Sequence, residues 1–453
     1  MRDLSKLVKA YDIRGLVGDE MDTEFVREVG AAFALLVGTS VALLHDMRPS
    51  SEPFAIAFAD GVTSQGHNVI FCGLGSTDLV YYAAGHLNVA GAVITASHNP
   101  ARYNGIKLCK PGAAPVGQDT GLADIRRTLE NGIPEYRGTP GRITRHDLSH
   151  DYAAYLRELV NLSHIRPLRV VVDAANGMGG HMVPIVFDGL PLEVTPMYFE
   201  LDGTFPNHEA NPLDPANLVD LQHKVREVGA DIGLAFDGDA DRCFVVDENG
   251  VPVPPSVIVA LIATRELVKT PGASIVYNVI TSRAVPEIVT EHGGTPARTR
   301  VGHTYMKSLM AQEDAVFGGE HSGHYYFRDF WRADTGMLAA MHVLAALGTS
   351  DQPMSALVAQ YSRYVASGEI NSEVADTTAT LATIEKHFEG AETDHLDGLT
   401  VQLDGGAWFN LRPSNTEPLL RLNVEAADAE TMTRIRDDVL ALVRGLPAEP
   451  SSE

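Results

Sequence analysis

Short apolar runs typical of β-strands alternate with helical patterns along most of this chain, and no other feature constrains its fold as strongly. The run Leu-Arg-Val-Val-Val-Asp at 168–173 is followed by a helical pattern at 181–190, and the apolar run at 273–280 is followed by another at 282–293. Strands that are separated by helices pair as parallel or mixed sheets, which those helices cover. The alternation therefore predicts α/β domains over most of the chain.

The last part of the chain has a different pattern. We expect residues 398–405 and 407–415 to form a hairpin, residues 418–426 to form a further strand, and residues 428–445 to form a helix. Strands that follow one another without intervening helices indicate a unit of α+β character. The C-terminal part is therefore predicted to differ in architecture from the rest.

The length of 453 residues is too great for one domain of ordinary size, about 150 residues. A helix is predicted from Ser149 after a stretch rich in Gly and Pro, a Pro-rich segment near residue 250 is predicted to be a hinge, and the pattern changes again near Gly368. We therefore predict three similar α/β domains with mixed sheets and a smaller α+β C-terminal domain. Their predicted bounds are residues 1–148, 149–250, 251–367 and 368–453.

The balance of charge argues against nucleic-acid binding. The chain has 35 Lys and Arg residues against 59 Asp and Glu residues, a formal net charge of −24. Most of such a surface repels phosphate backbones, whereas a small anionic substrate can bind where the few cations gather. Three cysteines cannot form a disulfide framework, and no segment resembles a signal peptide or a membrane span. We expect a cytoplasmic protein that binds neither nucleic acid nor membranes.

The strongest local motif is Asp-Gly-Asp-Ala-Asp-Arg at 237–242, between two predicted strands. Carboxylates at alternate positions of a loop can converge on one hard cation, and Mg²⁺ prefers oxygen ligands. A solvated acidic turn is disfavoured because the three aspartates adjoin buried strands. An EF-hand calcium loop is disfavoured because Arg242 occupies the sixth position, where a glycine is needed. An arginine beside the acidic cluster also suggests an anionic ligand next to the metal.

The second motif is Thr-Ala-Ser-His-Asn-Pro at 95–100, which follows an apolar strand. Ser97 lies where a strand ends in a polar loop, a usual position for a nucleophile in α/β proteins. Lys107 supplies a cation a few residues further on, and cations lower the cost of negative charge on the serine or on a phosphate attached to it. A simple turn explains the same residues equally well. The serine does not match a hydrolase elbow, because Ala96 and His98 flank it.

Two further motifs contain groups that bind sugars and phosphates. The segment 318–324 (Gly-Gly-Glu-His-Ser-Gly-His) offers Glu320 as an acceptor for sugar hydroxyl donors and histidines that can transfer protons. The segment 412–418 begins with Arg412 and continues with Ser, Asn and Thr, a set that can hold a phosphate dianion. A polar hairpin loop is the alternative for the latter segment. Weaker signals of sugar or phosphate binding come from Arg14 and from His303 with Lys307.

One chemistry accommodates all four motifs. A seryl phosphate bound to a metal, a loop that recognises a sugar and a separate phosphate site together describe phosphoryl transfer between the two ends of a sugar phosphate.

In these motifs and in their order, the sequence resembles the α-D-phosphohexomutase superfamily, and most closely its phosphomannomutase/phosphoglucomutase branch. The resemblance spans nearly the whole chain. It implies four domains around a central cleft, each of which contributes one loop to the active site.

The resemblance also implies a role for each residue of the motifs. Ser97 would be the phosphoserine, and Asp237, Asp239 and Asp241 would hold Mg²⁺ together with the phosphorylated Ser97. The residues implied in catalysis around the moving phosphoryl group or in proton transfer are Arg14, His98, Lys107, Arg242, His303 and His324. The residues implied in substrate binding are Tyr11, Glu320, Ser322, Arg412, Ser414, Asn415 and Thr416.

The reaction implied by the resemblance is the interconversion of mannose 1-phosphate and mannose 6-phosphate, with hexose 1,6-bisphosphate as intermediate and activator. The ligands would be small hexose phosphates, and the chain would be a monomer or a weak homodimer. The segment Ser-Asn-Thr-Glu at 414–417 differs from the Ser-Gly-Thr-Glu of phosphoglucosamine mutases, and Phe-Pro-Asn-His at 205–208 suits the phosphomannomutase/phosphoglucomutase pattern. Phosphoglucomutase and phosphoglucosamine mutase remain alternatives. A metal-dependent phosphatase and a sugar-phosphate-binding protein without activity are alternatives of other classes.

Overall fold

A computed structural model of the chain describes residues 3–9, 11–414 and 419–445. Within these ranges the strands form four sheets, which define the first, second, third and fourth units in chain order. Among the described helices, none combines the length and the apolar character that crossing a lipid bilayer requires.

The first unit is a mixed sheet of seven strands. Its order is β1-β5-β4-β2-β3-β7, with β6 beside β5, and β2, β3 and β4 run parallel while β5 is antiparallel to β4. The strands are β1 (Ile13–Leu16), β2 (Val41–His45), β3 (Val69–Leu74), β4 (Ala90–Ile94), β5 (Tyr103–Lys110), β6 (Ala114–Pro115) and β7 (Ile143–Arg145). The helices are α1 (Leu4–Leu7), α2 (Thr23–Val37), α3 (Ser51–Ser64), α4 (Thr77–His86) and α5 (Leu122–Asn131).

The second unit is a mixed sheet of five strands in the order β12-β11-β10-β8-β9. Its strands are β8 (Leu168–Asp173), β9 (Leu192–Met197), β10 (Ile232–Phe236), β11 (Cys243–Asp247) and β12 (Pro252–Val253), and its helices are α6 (Ser149–Leu159), α7 (Gly179–Val186) and α8 (Val219–Val228). The segment near residue 250, which was predicted to be a hinge, contains β12, an edge strand antiparallel to β11. A proline is tolerated there because an edge strand leaves one row of backbone N–H groups unpaired.

The third unit repeats the mixed pattern with the order β14-β13-β15-β16-β17. The strands are β13 (Ser274–Asn278), β14 (Thr295–Thr299), β15 (Phe317–Gly319), β16 (Tyr325–Phe327) and β17 (Ala333–Asp334). The helices are α9 (Pro255–Lys269), α10 (Ala284–Glu291), α11 (His303–Gln312), α12 (Gly336–Gly348) and α13 (Met354–Tyr361).

The fourth unit is the predicted α+β unit, and its described strands pair only antiparallel. Their order is β18-β23-β22-β21-β20, with β19 also beside β23. The strands are β18 (Val365–Ala366), β19 (Ile370–Glu373), β20 (Glu392–Asp394), β21 (Leu399–Gln402), β22 (Trp408–Pro413) and β23 (Leu419–Ala426), and the helices are α14 (Thr377–His387) and α15 (Ala429–Val443). The predicted fold class, three mixed-sheet α/β units followed by an α+β unit, is therefore confirmed.

One apolar cluster is shared by the first three units, whereas the fourth unit has a cluster of its own. A single cluster of buried side chains extends from α4 of the first unit through β8 and β10 of the second to α9 and α12 of the third. A separate cluster fills the space between the sheet of the fourth unit and its helices. The shared apolar cluster thus joins the first three units to one another, and the cluster of the fourth unit contains only that unit's described side chains.

A buried carboxylate joins the first three units. Asp78 in α4 is fully buried, and its Oδ2 accepts hydrogen bonds from the hydroxyls of Tyr152 (2.6 Å), in α6, and Thr335 (2.7 Å), just before α12. Ser76 donates to Oδ1 of the same carboxylate. Burial raises the pKa of Asp78 to about 6 despite these three donors.

We expect Asp78→Asn to gain stability relative to the wild type as the pH rises. The pKa of Asp78 is about 6 in the native state and 3.8 in the unfolded state, so protonation of this carboxyl stabilises the native wild type at low pH. As the pH rises from about 4 to about 6, the wild type loses up to about 3 kcal/mol of unfolding free energy. Asparagine does not ionise. The measurement is the difference in thermal unfolding midpoint between variant and wild type from pH 4 to pH 8.

The control for this prediction is Asp202→Asn. Thr204 donates to the exposed Asp202 and lowers its pKa, so Asp202 is ionised throughout the range from pH 5 to pH 7. The difference in unfolding midpoint between this variant and the wild type should therefore be constant over that range. A difference for Asp78→Asn that is equally constant over that range would contradict the prediction.

Candidate active site

All four units contribute residues to one cleft of about 390 Å³. Most of the residues that the sequence analysis selected line it: Tyr11, Arg14, Ser97, His98, Lys107, Asp241, Arg242, His303, Glu320, Ser322, His324, Arg412 and Ser414. Asp237 and Asp239 are buried behind its wall and contact residues that line it. Asn415 and Thr416 lie outside the described residues.

Ser97 follows β4 and faces the aspartate loop of the second unit. Its backbone lies in the left-handed region, with φ +50°. Its hydroxyl donates to Asp237 Oδ2 (2.8 Å) and accepts from Arg242 Nη2 (3.1 Å). The seryl oxygen of one unit is thus in direct contact with the acidic motif of the next, although the two motifs are 140 residues apart.

The aspartate loop connects the buried strands β10 and β11. Ala240 has a positive φ of +59°, and the backbone N–H of Arg242 donates to Asp237 Oδ1 (3.2 Å). The turn points Asp237, Asp239 and Asp241 inward, so that one oxygen of each lies within 4.8 Å of the others. The alternate spacing of the carboxylates therefore produces the convergence that the sequence suggested.

Two cations partly neutralise these three carboxylates. Lys107, in β5 of the first unit, places Nζ 2.7 Å from Asp239 Oδ2 and 2.5 Å from Asp241 Oδ2. Arg242 pairs with Asp237 at 2.8 Å. Burial acts to raise the pKa of Asp239, but the Lys107 ammonium outweighs it and holds that pKa below its usual range. Burial raises the pKa of Asp237 although the Arg242 guanidinium opposes the shift.

The aspartate group suits a magnesium ion. Its ligand atoms are all carboxylate oxygens, which Mg²⁺ prefers, and Oδ1 of both Asp239 and Asp241 is buried without a hydrogen-bond partner among the described residues. A second group shares Asp241 and adds His324 and Asp334, but its imidazole nitrogen suits Mg²⁺ less well than an oxygen ligand. The first group is the better candidate for a metal site.

His98 is held neutral beside the serine. Burial lowers its pKa well below the usual range, and Arg242 and Arg14 add to the shift. Its Nδ1 contacts Arg242 Nη2 and lies 3.2 Å from Ser97 Oγ. A guanidinium can only donate, so Nδ1 of His98 is an acceptor.

Glu320 has a fixed orientation at the end of β15. Its Oε1 accepts from Asn278 Nδ2 (2.8 Å) and from the backbone N–H of Gly302 (3.1 Å), and its Oε2 accepts from the Tyr326 hydroxyl (2.6 Å). In the same loop, Ser322 Oγ lies 2.9 Å from His324 Nδ1. These contacts hold a carboxylate, a hydroxyl and an imidazole together on the wall that the third unit contributes.

His303 and Tyr11 close one side of the cleft between the first and third units. His303 begins α11, and its ring lies 5.3 Å from the Tyr11 ring in an edge-to-face arrangement. Burial lowers the pKa of His303 to about 3, with a further contribution from Lys307. Burial raises the pKa of Tyr11 to about 12. Both side chains are therefore neutral at ordinary pH.

The fourth unit contributes two arginines, of which the sequence analysis identified only one. Arg412 in β22 is directly opposite Arg421 in β23, and both also line the cleft. Each lies near a different oxygen of Glu369, at 3.4 Å for Arg412 and 3.2 Å for Arg421. Pairing the predicted strand at 407–415 with the next one at 418–426, residue by residue, would have placed Arg421 opposite Arg412.

Other residues of the cleft were not selected at all. Asp334, Tyr81 and Leu213 line it, and the Lys307 ammonium lies 3.9 Å from the centroid of the Tyr81 ring. These positions lie in a strand, a helix and a loop without any motif of their own. Their sequence context gives no signal, because only the packing of the units brings them to the cleft.

Comparison with known families covers nearly the whole chain. Four family models match in order: phosphoglucomutase/phosphomannomutase alpha/beta/alpha domain I at residues 5–134, domain II at 150–250, domain III at 254–364 and the C-terminal domain at 369–442.

Similar proteins agree with these matches. The chain is 39% identical over 431 residues to a phosphomannomutase of Escherichia coli K12, covering 92% of this chain and 94% of that protein. It is 40% identical over 448 residues to a phosphohexose mutase of Xanthomonas campestris, covering 96% and 99%. A solved structure of a phosphoglucomutase/phosphomannomutase family protein from Burkholderia thailandensis has a TM-score of 0.90 and 31% identity, covering 100% of this chain and 99% of that one. The chain therefore belongs to the phosphoglucomutase/phosphomannomutase family and is a phosphohexomutase, an isomerase that moves a phosphoryl group within a hexose phosphate.

Proposed function

We propose that this phosphohexomutase interconverts mannose 1-phosphate and mannose 6-phosphate through a phosphoryl group on Ser97 and a hexose 1,6-bisphosphate intermediate. The observation that carries the proposal is the contact of Ser97 Oγ with Asp237 (2.8 Å) and Arg242 (3.1 Å) at the cleft. The choice of mannose is supported by the names of relatives such as the phosphomannomutase of Escherichia coli. Glucose phosphates are a second substrate class, since the two sugars differ only in the orientation of one hydroxyl.

The residues around Ser97 suit transfer of a phosphoryl group to and from its oxygen. The seryl hydroxyl donates to Asp237 Oδ2, which orients its oxygen beside the aspartate loop, and a side chain at the cleft takes the proton when the serine attacks. Arg242 donates to the same seryl oxygen and stabilises negative charge that develops there. The neutral His98 adds no further positive charge beside the serine, and Arg242 supplies the positive charge in contact with the seryl oxygen.

Asp237, Asp239, Asp241 and the phosphorylated Ser97 would hold Mg²⁺. When bound, the ion neutralises charge on the phosphoryl group during transfer. Lys107 and Arg14 face the same region and add positive charge. The hexose 1,6-bisphosphate acts as activator in this scheme because it restores the phosphate on Ser97 whenever the intermediate escapes.

The second phosphate of the substrate is proposed to bind at the fourth unit, between Arg412, Arg421 and Ser414. Two guanidinium groups on neighbouring strands present several N–H donors to one dianion, which suits phosphate. Glu320, which lines the same cleft, is proposed to accept hydrogen bonds from the sugar hydroxyls. A cytoplasmic location is proposed because the three cysteines are buried and unbridged, as suits a reducing compartment.

A close approach of two loops keeps Ser97 against the aspartates. A Cβ atom built on Gly238 would lie 2.3 Å from the Ser97 carbonyl oxygen, which is too close for any side chain. The aspartate loop therefore depends on a glycine at this position to reach the serine.

We expect Ser97→Ala to lose activity by at least about 1,000-fold on every hexose phosphate, because no other group accepts the phosphoryl group. The measurement is the formation of hexose 6-phosphate from mannose, glucose and glucosamine 1-phosphates in parallel. Ser163→Ala, at an exposed position of the second unit, is the control and should behave as the wild type.

Mannose 1-phosphate should exceed glucose 1-phosphate in kcat/KM of the wild type by about 10-fold or less, which corresponds to about one hydrogen bond.

Two results of that assay would contradict the proposal. Steady release of inorganic phosphate without formation of the 6-phosphate would indicate a phosphatase. A kcat/KM that is highest for glucosamine 1-phosphate would remove mannose as the substrate while leaving the phosphohexomutase assignment intact.

We expect Gly238→Ala to lower kcat/KM by about 100-fold, because the added methyl group displaces the Ser97 loop from the aspartates by about 1 Å. Gly189→Ala is the matched control in the same unit. Gly189 has φ +70° and nothing within 4 Å of a built Cβ, so this variant should lose about 1 kcal/mol of stability and no activity. Wild-type kcat/KM in Gly238→Ala would contradict the account of this contact.

A further inference from the structure

Arg48 supports the Ser97 loop from the side opposite to the cleft. Its side chain is fully buried, and it is not among the residues that line the cleft. Nη2 donates to the carbonyl oxygens of Ser97 (2.9 Å) and Asn99 (2.7 Å), and Nη1 donates to those of Pro100 (3.1 Å) and Tyr103 (3.0 Å). One planar guanidinium thus bonds three carbonyl groups of the loop between β4 and β5 and a fourth at the first residue of β5.

Asp46 anchors this arginine to regular structure. The two side chains form an ion pair with Nε and Oδ2 at 3.3 Å, and neither is exposed to solvent. Asp46 Oδ1 accepts from the backbone N–H of Arg48 (2.9 Å) and from the hydroxyl of Ser51, the first residue of α3. The guanidinium is therefore held at a set position relative to β2 and α3.

The second unit packs directly on the same arginine. The ring of Phe205 lies 5.0 Å from the Arg48 guanidinium, and a Cβ built on Gly203 would lie 2.4 Å from Arg48 Cα. Phe205 and Gly203 belong to the unit that carries the aspartate loop. Arg48 therefore contacts both structures that must meet for phosphoryl transfer, the serine loop and the second unit.

The conformation of Ser97 needs this support. A residue with a Cβ is strained at φ +50°, and it keeps that conformation only where its surroundings fix it. The hydrogen bond from Arg48 to the carbonyl of Ser97 itself fixes the peptide group that follows the strained residue.

We propose that Arg48 is a positioning residue for phosphoryl transfer, which sets the distance between Ser97 Oγ and the aspartate loop without touching the substrate. The proposal rests on the proposed function, because it assumes that Ser97 carries the phosphoryl group. Arg48, which is buried outside the cleft, therefore affects the rate of the chemical step and does not affect the affinity for the sugar phosphate.

The test is Arg48→Lys in the full chain. Lysine keeps the positive charge near Asp46 but has a single nitrogen, which cannot bond four carbonyl groups. We expect kcat to fall by about 100-fold, because the serine is displaced from the aspartates, while KM stays within about threefold of the wild-type value. The rate at which glucose 1,6-bisphosphate phosphorylates Ser97, followed by intact mass, should fall by the same factor.

Arg157→Lys is the matched control. Arg157 also donates to two backbone carbonyls, those of Val186 (3.0 Å) and Ile185 (2.9 Å), but it lies within the second unit and does not contact Arg48 or Ser97. This variant should keep its kcat and its rate of phosphorylation even if its unfolding midpoint falls. All variants are assayed well below their unfolding midpoints.

Three results would overturn the proposal. One is a wild-type kcat in Arg48→Lys together with a lower unfolding midpoint, since the role would then be structural only. Another is a raised KM with unchanged kcat, which would indicate contact with the substrate. The third is an equal loss of kcat in Arg157→Lys. A wild-type chain that gains no phosphate on Ser97 would instead refute the proposed function, so the two failures are distinguishable.

A second variant serves if Arg48→Lys does not fold. Phe205→Leu removes only the ring that packs on the guanidinium, and kcat should fall by about 10-fold with KM unchanged. Phe187→Leu, another buried phenylalanine of the second unit, is its control and should keep the wild-type kcat. Equal kcat values in these two variants would overturn the proposal.

Discussion

The structure depends on the burial of three carboxylates whose neutralising cations come from two different units. Burying a charge is costly unless a partner is buried with it. Asp237, Asp239 and Asp241 belong to the second unit, and Arg242 beside them supplies one positive charge. Lys107, which supplies the other, belongs to the first unit. The first and second units must therefore stay docked for this cluster to be tolerated, and the docking places Ser97 against it.

The arrangement of the apolar clusters agrees with phosphoryl transfer at Ser97 and with binding of the second phosphate at a separate place in the cleft. The first three units share one apolar cluster, which includes Val93 of the strand that precedes Ser97. The fourth unit, with Arg412 and Arg421, has its own core. A bisphosphate intermediate needs both features, since each of its ends must in turn meet the serine while the other end is held elsewhere. The shared cluster thus joins the units that carry Ser97 and the aspartates, and the two arginines lie in a unit with a cluster of its own.

The sequence predicts the parts of the fold and the site that depend on local pattern. Alternating strands and helices gave the fold class. The resemblance implied that Ser97 and Asp241 share one cleft, and both line it. The strand β12 near residue 250 was not predicted, because a Pro-rich segment suits a hinge as well as an edge strand. Arg48 was not recognised, since its partners are backbone carbonyls, which leave no mark in the sequence. The predicted domain bounds and the roles of the site residues stay predictions.

The most direct test of the account is the number and position of phosphate groups on the wild-type chain after incubation with glucose 1,6-bisphosphate, by intact mass and peptide mapping. The account predicts one phosphate per chain, on the peptide that contains Ser97, and its transfer to the sugar when mannose 1-phosphate is added. A chain that interconverts hexose phosphates while carrying no phosphate, or while carrying it on another residue, would contradict the account.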